Sequence, residues 1–483
     1  MILPPRGTPV DADRRAEIRK ALQPAEVQGR IKQLMAVDQM RLACLFQDED
    51  VHELCGELEI RFRDRVFTPA TTLGLFVAQM LSRDDACSTV VAQFNRERKR
   101  DGLPPVSEDA SAYCKARARL PVELIDRLGQ RVVQLQRDKT CSQWKWRNKD
   151  VYFVDGLVLR APDTAENQAV YPQPASQQPG LGFPQVRVVV TTSLATGCIE
   201  HYNTGPVTGK RTGEVSLFRE NHCDFVAGDI VVGDANFESF HDAVLLNRAG
   251  ADLVFCINGT RNSPFEGACK RIDDTLVTVP KPKFDPSRFT REQWTLLPES
   301  IQYRVIRYRT SGRKEVLTIV TTLLDQQQFS AEEIAELYGL RWDVETDICC
   351  LKSTMGVGEL RCLTPENLDR EMAVAILAHN LVRVLMSDAA LVSEVHPREI
   401  SFSRARDAWI NYRDELESSE DLMWIVLSAS SRLVRDRPGR EEPREIKRRH
   451  LTKYGKLKSP RPSRAKRIQA TAANQATKQA ANP

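Results

Sequence analysis

Apolar positions recur at helical spacing through the first 149 residues and at strand spacing after them. PAEVQGRIKQLMAV, TPATTLGLFVAQMLS and PVELIDRLGQRVVQLQRD set apolar side chains three and four apart, which predicts helices. SEDASAYCKARARL predicts a short basic helix with Ser107 and Asp109 as caps. NRERKRDGLPP, just upstream, reads as a charged turn. Helix, turn and basic helix can enter a DNA groove, but a solvated face on a helical bundle has the same spacing. CSQWKWRNKD interleaves Trp144 and Trp146 with Lys145 and Arg147, which suits either DNA or a linker packed by two indoles.

The period changes at Asp150. VYFVDGLVLRA, VRVVVTTSL and GCIEHYNTG read as successive strands, the first two separated by a Pro/Gln/Gly-rich loop. GEVSLFREN predicts a helix, DIVVGDANF a strand ending at Asp234, FHDAVLLNRAG a helix and ADLVFCING a strand. Strands in series followed by alternation predict an α/β fold, a mixed sheet with helices on its faces. IDDTLVTVP, YRVIRYRT and KEVLTIVTTLL then form a β-rich insertion. SAEEIAELYGLRWDVETDICCLK opens a long helix, with Ser330 and Glu333 as a capping box. LDREMAVAILAHNLVRVLM predicts a core helix, and helices continue to about 435. The expected divisions are a helical region at 1–149, with DNA binding as its expected role, and a catalytic α/β domain at 150–258 and 326–390. The β-rich insertion occupies 259–325, a helical region 391–443 and a basic disordered tail 444–483.

Length and composition narrow the class. At 483 residues, 41% hydrophobic and 28% charged, the chain reads as a globular protein of two to four domains. No apolar run reaches the ~18 residues of a membrane span, and the first residues lack the apolar stretch of a signal peptide. The twelve cysteines form no CxxC pair and no zinc spacing, as in a reducing cytoplasm. The net charge of +4 is unevenly spread: residues 444–467 hold eleven Lys and Arg against one Glu, leaving the remainder net acidic. That tail suits a phosphate backbone or serves solubility.

Candidate chemistry lies in three carboxylates. Asp155 sits in a strand where Val151, Phe153 and Leu157 share its face. Asp234 closes an apolar strand, where α/β sheets often bind ligands. In YGLRWDVETDICCLKS, wound as one helix, Tyr338, Arg341, Glu345 and Lys352 fall within an arc of roughly 60°. Apolar residues flank that arc, Trp342 and Cys349 among them, and Asp343, Thr346 and Asp347 make the outer face. Buried charge needs compensation. Asp155 alone is harder to explain blandly, whereas Asp234 alone fits a turn or cap and Glu345 alone fits a pair with Arg341. Three hard oxygen donors without His or Cys point to Mg²⁺, or Mn²⁺ in its place, and a pair of such ions serves in-line displacement at phosphorus. Trp294 either stacks on an unpaired base or packs. Lys210 and Arg211 read as a solvated turn, and His379 as a core histidine.

The spacing Y-x2-R-x3-E-x6-K, met by Tyr338, Arg341, Glu345 and Lys352, resembles the signature of a branch of bacterial insertion-sequence transposases of the DDE type. The DG at Asp155 and the GDANF at Asp234 resemble that branch's two earlier acid motifs. The resemblance covers roughly 150 to 385. It implies a ribonuclease-H-like catalytic fold with a β-rich insertion, and Asp155, Asp234 and Glu345 as a triad holding two Mg²⁺ ions. It also implies Tyr338, Arg341 and Lys352 beside DNA, cleavage of transposon ends with strand transfer into target DNA, a hairpin step in some relatives, and a homodimer on paired ends. Ala235 stands where many relatives have Arg. A nuclease that does not join strands, a DNA-binding derivative without catalysis, and a metal phosphohydrolase on small substrates are the rival expectations.

Overall fold

The computed structural model describes residues 48–63, 65–82, 86–257, 274–285, 290–309, 316–412, and residues 426 and 429. The helix expected in PAEVQGRIKQLMAV, the start of the insertion, the last expected helices and the basic tail lie outside the described residues.

Five helices open the described chain: α1 (Asp48–Glu57), α2 (Pro69–Leu81), α3 (Cys87–Arg100), α4 (Ser111–Arg119) and α5 (Val122–Asp138). Thr68 caps α2 by accepting from the Thr71 N–H at 3.2 Å, with Pro69 in the first turn, where a missing N–H costs nothing. NRERKR belongs to α3 and not to a turn. Arg, Glu, Lys and Gln all favour helix, and the chain turns only at Asp101 and Gly102, whose φ of +71° suits glycine. Ser107 and Asp109 do not cap α4 directly. Ser107 accepts from the Asp109 N–H, and Asp109 from the Ser111 N–H at 3.0 Å, so the pair shapes the turn leading into the helix.

The sheet begins with β1 (Val151–Arg160). After α6 (Ala165–Val170) come β2 (Gln185–Ser193), β3 (Ile199–Pro206), α7 (Glu214–Arg219), β4 (Ile230–Gly233), α8 (Phe240–Arg248) and β5 (Asp252–Cys256). β6 (Asp274–Pro280), α9 (Arg291–Thr295), β7 (Ser300–Arg309) and β8 (Val316–Thr321) follow, then α10 (Ala331–Gly339), α11 (Trp342–Cys349), α12 (Pro365–Ser393) and α13 (Phe402–Tyr412). The eight strands make one sheet in the order β3-β2-β1-β4-β5-β8-β7-β6. β1, β2 and β3 are antiparallel neighbours, while β4 runs parallel to β1 and β5 parallel to β4. That five-strand order and sense is the ribonuclease-H-like arrangement.

Strands of the β-rich region do not fold apart from this sheet. β8 pairs antiparallel with β5, and β7 and β6 extend the edge. Buried Arg304 on β7 binds Asp274 through two bonds of 2.7 and 2.6 Å and donates to the Phe329 carbonyl at 2.7 Å, tying this extension to the segment that starts α10.

Period-two alternation covers both faces. Phe153, Leu157, Val188, Val190, Val232 and Val254 face α10, α11 and α12, while Tyr152, Val154, Val189, Val231 and Phe255 face α7 and α8. α12 is longer than its apolar pattern predicts. It is the one described helix long and apolar enough to cross a membrane, yet 94% of its most apolar stretch is buried inside this fold, against α2, α5 and the sheet. Its apolar residues therefore serve a core. The indoles of the linker pack as well: Trp144 is buried, and Trp146 stacks on Phe329 at 5.7 Å, beside an Arg147–Glu333 pair at 2.9 Å.

Candidate active site

Parallel pairing decides where the acids fall. Val151 pairs with Ile230 and Phe153 with Val232, so the same register carried two residues on sets Asp155 abreast of Asp234. Neighbouring strands lie about 5 Å apart. Gly233 fits here because a Cβ on it would lie 2.8 Å from Val154 and 3.0 Å from Phe255. Beyond β4 the chain turns tightly. Asp234 Oδ1 accepts from the Asn236 N–H at 2.9 Å, and the Asp234 carbonyl accepts from the Phe237 N–H, with the Phe237 ring buried under the sheet.

Glu345 comes from α11, and the helix that carries it is not the single rod the sequence predicts. The capping box forms: Glu333 N–H donates to Ser330 Oγ at 3.2 Å, and Ser330 N–H to Glu333 Oε2 at 2.9 Å. α10 then ends at Gly339, a poor helix former. Across the junction the bonds tighten to three-residue spacing, with Arg341 N–H to Tyr338 O at 3.0 Å and Val344 N–H to Arg341 O at 3.2 Å. α11 ends in turn in a π-turn, Cys350–Thr354.

Tightened turns add rotation per residue, so the faces predicted from a uniform helix shift. Asp347, expected on the outer face, is 1% exposed and bound to Arg383 and Arg398. Trp342, expected on an apolar flank, is 61% exposed, with the Arg341 guanidinium 5.2 Å from its ring. Cys349 is exposed too.

Electrostatics join the three acids. Burial pushes the Asp155 carboxyl up to about 6; the Gly156 N–H it accepts at 2.7 Å opposes that, Asp234 and Glu345 add to it, and Arg341 opposes it again. Arg341 Nη2 lies 3.0 Å from Glu345 Oε1. Burial raises the Tyr338 phenol, which shares a hydrogen bond with the Cys256 thiol and feels Arg341 and Asp234. Tyr338, Arg341, Glu345, Asp155 and Asp234 thus form one charged cluster at the sheet's end.

Lys352 and Trp294 stand elsewhere. Lys352 lies half-buried in the π-turn, one step past α11. Trp294 sits on α9, between β6 and β7, where its Nε1–H donates to the Pro282 carbonyl at 2.9 Å. Lys281 Nζ lies 4.2 Å from the ring and Phe284 packs on it edge-on. Cys256 is a neighbour of this cluster that reading the sequence missed, through its hydrogen bond to Tyr338. Gly233 pairs with Phe255, so Cys256 ends β5 level with Asp234. Comparing the ends of the three parallel strands would have found it.

The carboxylates suit a hard divalent cation by donor type, and their mutual repulsion is what such a cation relieves. Among the described residues no group of three or more His, Cys, Asp or Glu side chains is drawn together tightly enough to hold an ion. Arg341 supplies the positive charge instead.

Asp155 on the first strand, Asp234 just past the fourth and Glu345 on a helix after the eighth stand in the order of acids that the resemblance to DDE transposases implies. Residues 146–381 match the family described as the transposase DDE domain. The chain is similar to transposase InsG for insertion sequence element IS4 of Escherichia coli (strain K12), 27% identical over 301 residues, 61% of this chain and 65% of that one. It therefore spans a little under two thirds of that relative's length. A piggyBac transposase solved as a synaptic complex with hairpin DNA is similar at 12% identity, over 83% of this chain and 86% of that one, with a TM-score of 0.39.

Proposed function

We propose that this protein is a DNA transposase that cuts at transposon ends and joins the freed 3′-hydroxyl to target DNA. The observation that carries the reading is the pairing of β1 with β4, which brings Asp155 abreast of Asp234 within the field of Glu345. Asp155, Asp234 and Glu345 would hold Mg²⁺, with Mn²⁺ as a substitute and two ions the expected number. Bound there, the metal supplies activation of the attacking oxygen and stabilisation of the leaving one in an in-line displacement.

The chain's own residues do the rest. Arg341 holds Glu345 until DNA arrives and then shares its fork with a phosphate oxygen. Tyr338, held by Cys256, orients Arg341. Lys352 binds backbone phosphate about two helical turns past Glu345, as a point charge. Trp294, already occupied by Pro282 and Lys281, would need to release that packing to stack on a base. The partners are double-stranded DNA at transposon ends and at the target, with a second copy of the chain on paired ends, and the place of action is the nucleoid.

The test is a strand-transfer assay on end DNA with magnesium. Joined product supports transposition, whereas cleavage without joining indicates a nuclease built on the same residues. Asp155→Asn should abolish both steps and leave DNA affinity within about twofold. Full cleavage by that variant would remove Asp155 from the site.

A further inference from the structure

We propose that the buried cluster of Asp347, Arg383 and Arg398 is a positioning device that aims Glu345 at the strand aspartates. The inference rests on the functional reading above and deepens it. α11 is eight residues long and soft at both ends, entered through tightened turns and left through a π-turn. Neither end sets its rotation about its own axis. Residues two apart leave a helix ~200° apart, so whatever grips Asp347 decides which way Glu345 faces.

The grip is specific. Arg383, from the middle of α12, donates to Asp347 Oδ1. Arg398, just after α12, donates to the same oxygen from Nη1 at 2.9 Å. Its Nε and Nη2 donate at 2.7 Å each to the carbonyls of Leu194 and Ser193, and its Nε lies 3.9 Å from Asp343, also on α11. Ser193 ends β2, opposite Tyr152, and the Leu194 N–H donates to the Val151 carbonyl at the start of β1. One guanidinium therefore joins the helix that bears Glu345 to the strand pair that bears Asp155. Gly197, at φ +74°, makes room for this: a Cβ there would lie 2.8 Å from the Arg383 guanidinium.

A cluster serving stability alone would need only matched charge. This one also spends a planar fork on two fixed carbonyls, which sets direction as well as depth. A lysine at position 398 keeps the charge but cannot reach Asp347 and both carbonyls in one plane.

Two variants test it, Arg398→Lys and Asp347→Asn, each measured at least about 15 °C below its own melting temperature. The first readout is Mn²⁺ affinity of the DNA-free protein, by loss of the free-ion electron paramagnetic resonance signal. The second is the cleavage rate constant against the KM for end DNA. Arg398→Lys should weaken Mn²⁺ binding at least fivefold and slow cleavage at least tenfold, with KM for DNA within twofold of wild type. Asp347→Asn should do more, and if it fails to fold, Arg398→Lys carries the test. Wild-type affinity and rate in a folded Arg398→Lys protein, with only a lowered melting temperature, would overturn the inference and leave the functional reading standing. A wild-type protein that binds no Mn²⁺ and cuts no end DNA with either metal would overturn both.

Discussion

Arg341 and Glu345 face each other one helical turn apart, 3.0 Å between Nη2 and Oε1, and both act on Asp155 across the gap to the sheet. Glu345 is 41% exposed, so the pair itself is worth little, ~0–1 kcal/mol. Its value is electrostatic placement. Arg341→Gln should change the melting temperature by only a degree or two, yet move the acid limb of the cleavage profile to higher pH, because removing a cation favours the protonated carboxyl. An acid limb that stays put would show that Arg341 does not set the charge of Asp155.

Asp155 should give the proposed cleavage a pH dependence of its own. With the carboxyl at about 6, it is ionised above that pH and protonated below it. Cleavage at limiting magnesium should therefore fall as pH drops through about 6. Metal competes with the proton for the carboxylate, so a tenfold rise in magnesium should carry the limb to lower pH. Rate profiles at two magnesium concentrations decide it, and superimposable profiles would count against Asp155 as a ligand.

Gly233 makes the strand end possible. Gly233→Ala pushes a Cβ into Val154 and Phe255, both buried. The expected cost is about 1–3 kcal/mol by denaturant unfolding, with cleavage lost in greater proportion because Asp234 is the next residue. Unchanged stability would mean that β4 and β5 can separate freely there.

Lys352 is expected to touch phosphate. Lys352→Ala should weaken end binding at all sequences alike and flatten the plot of log K against log salt by about 0.9. The same slope in variant and wild type would leave Lys352 as a side chain lying along the protein surface.

On the opposite face of the sheet, His222 is buried beside Asp242 and Arg219, and burial holds its imidazole down at about 4 against 6.5 when unfolded. Between those values the unfolded chain takes up a proton that the folded chain refuses. Stability should accordingly fall as pH drops from about 6.5 toward 4, by up to roughly 3 kcal/mol from this group. His222→Gln, compared with wild type by thermal melts across that range, should show a shallower decline.

Much of this arrangement is legible along the chain, because strands and helices answer to local period. Alternation in VYFVDGLVLRA marks Asp155 as out of place on an apolar face, and the rise and end of DIVVGDANF put Asp234 at a strand terminus. Tyr338, Arg341 and Glu345 are found by spacing. What spacing misjudged was the faces of α11, since a uniform 3.6-residue pitch does not register a break at Gly339. Cys256 escaped for another reason: a thiol at a strand end carries no signal until the strands are laid side by side.

By itself, then, the sequence determined the elements, the acids they carry and the family resemblance, all of which depend on neighbours a few residues apart. Only the tertiary structure decided that β6, β7 and β8 widen the sheet of β1 to β5, that Asp155 and Asp234 share a register, and that Asp347 turns inward to two arginines. Those outcomes depend on pairing and burial between segments far apart in the chain, where charge is satisfied by partners that no local pattern names.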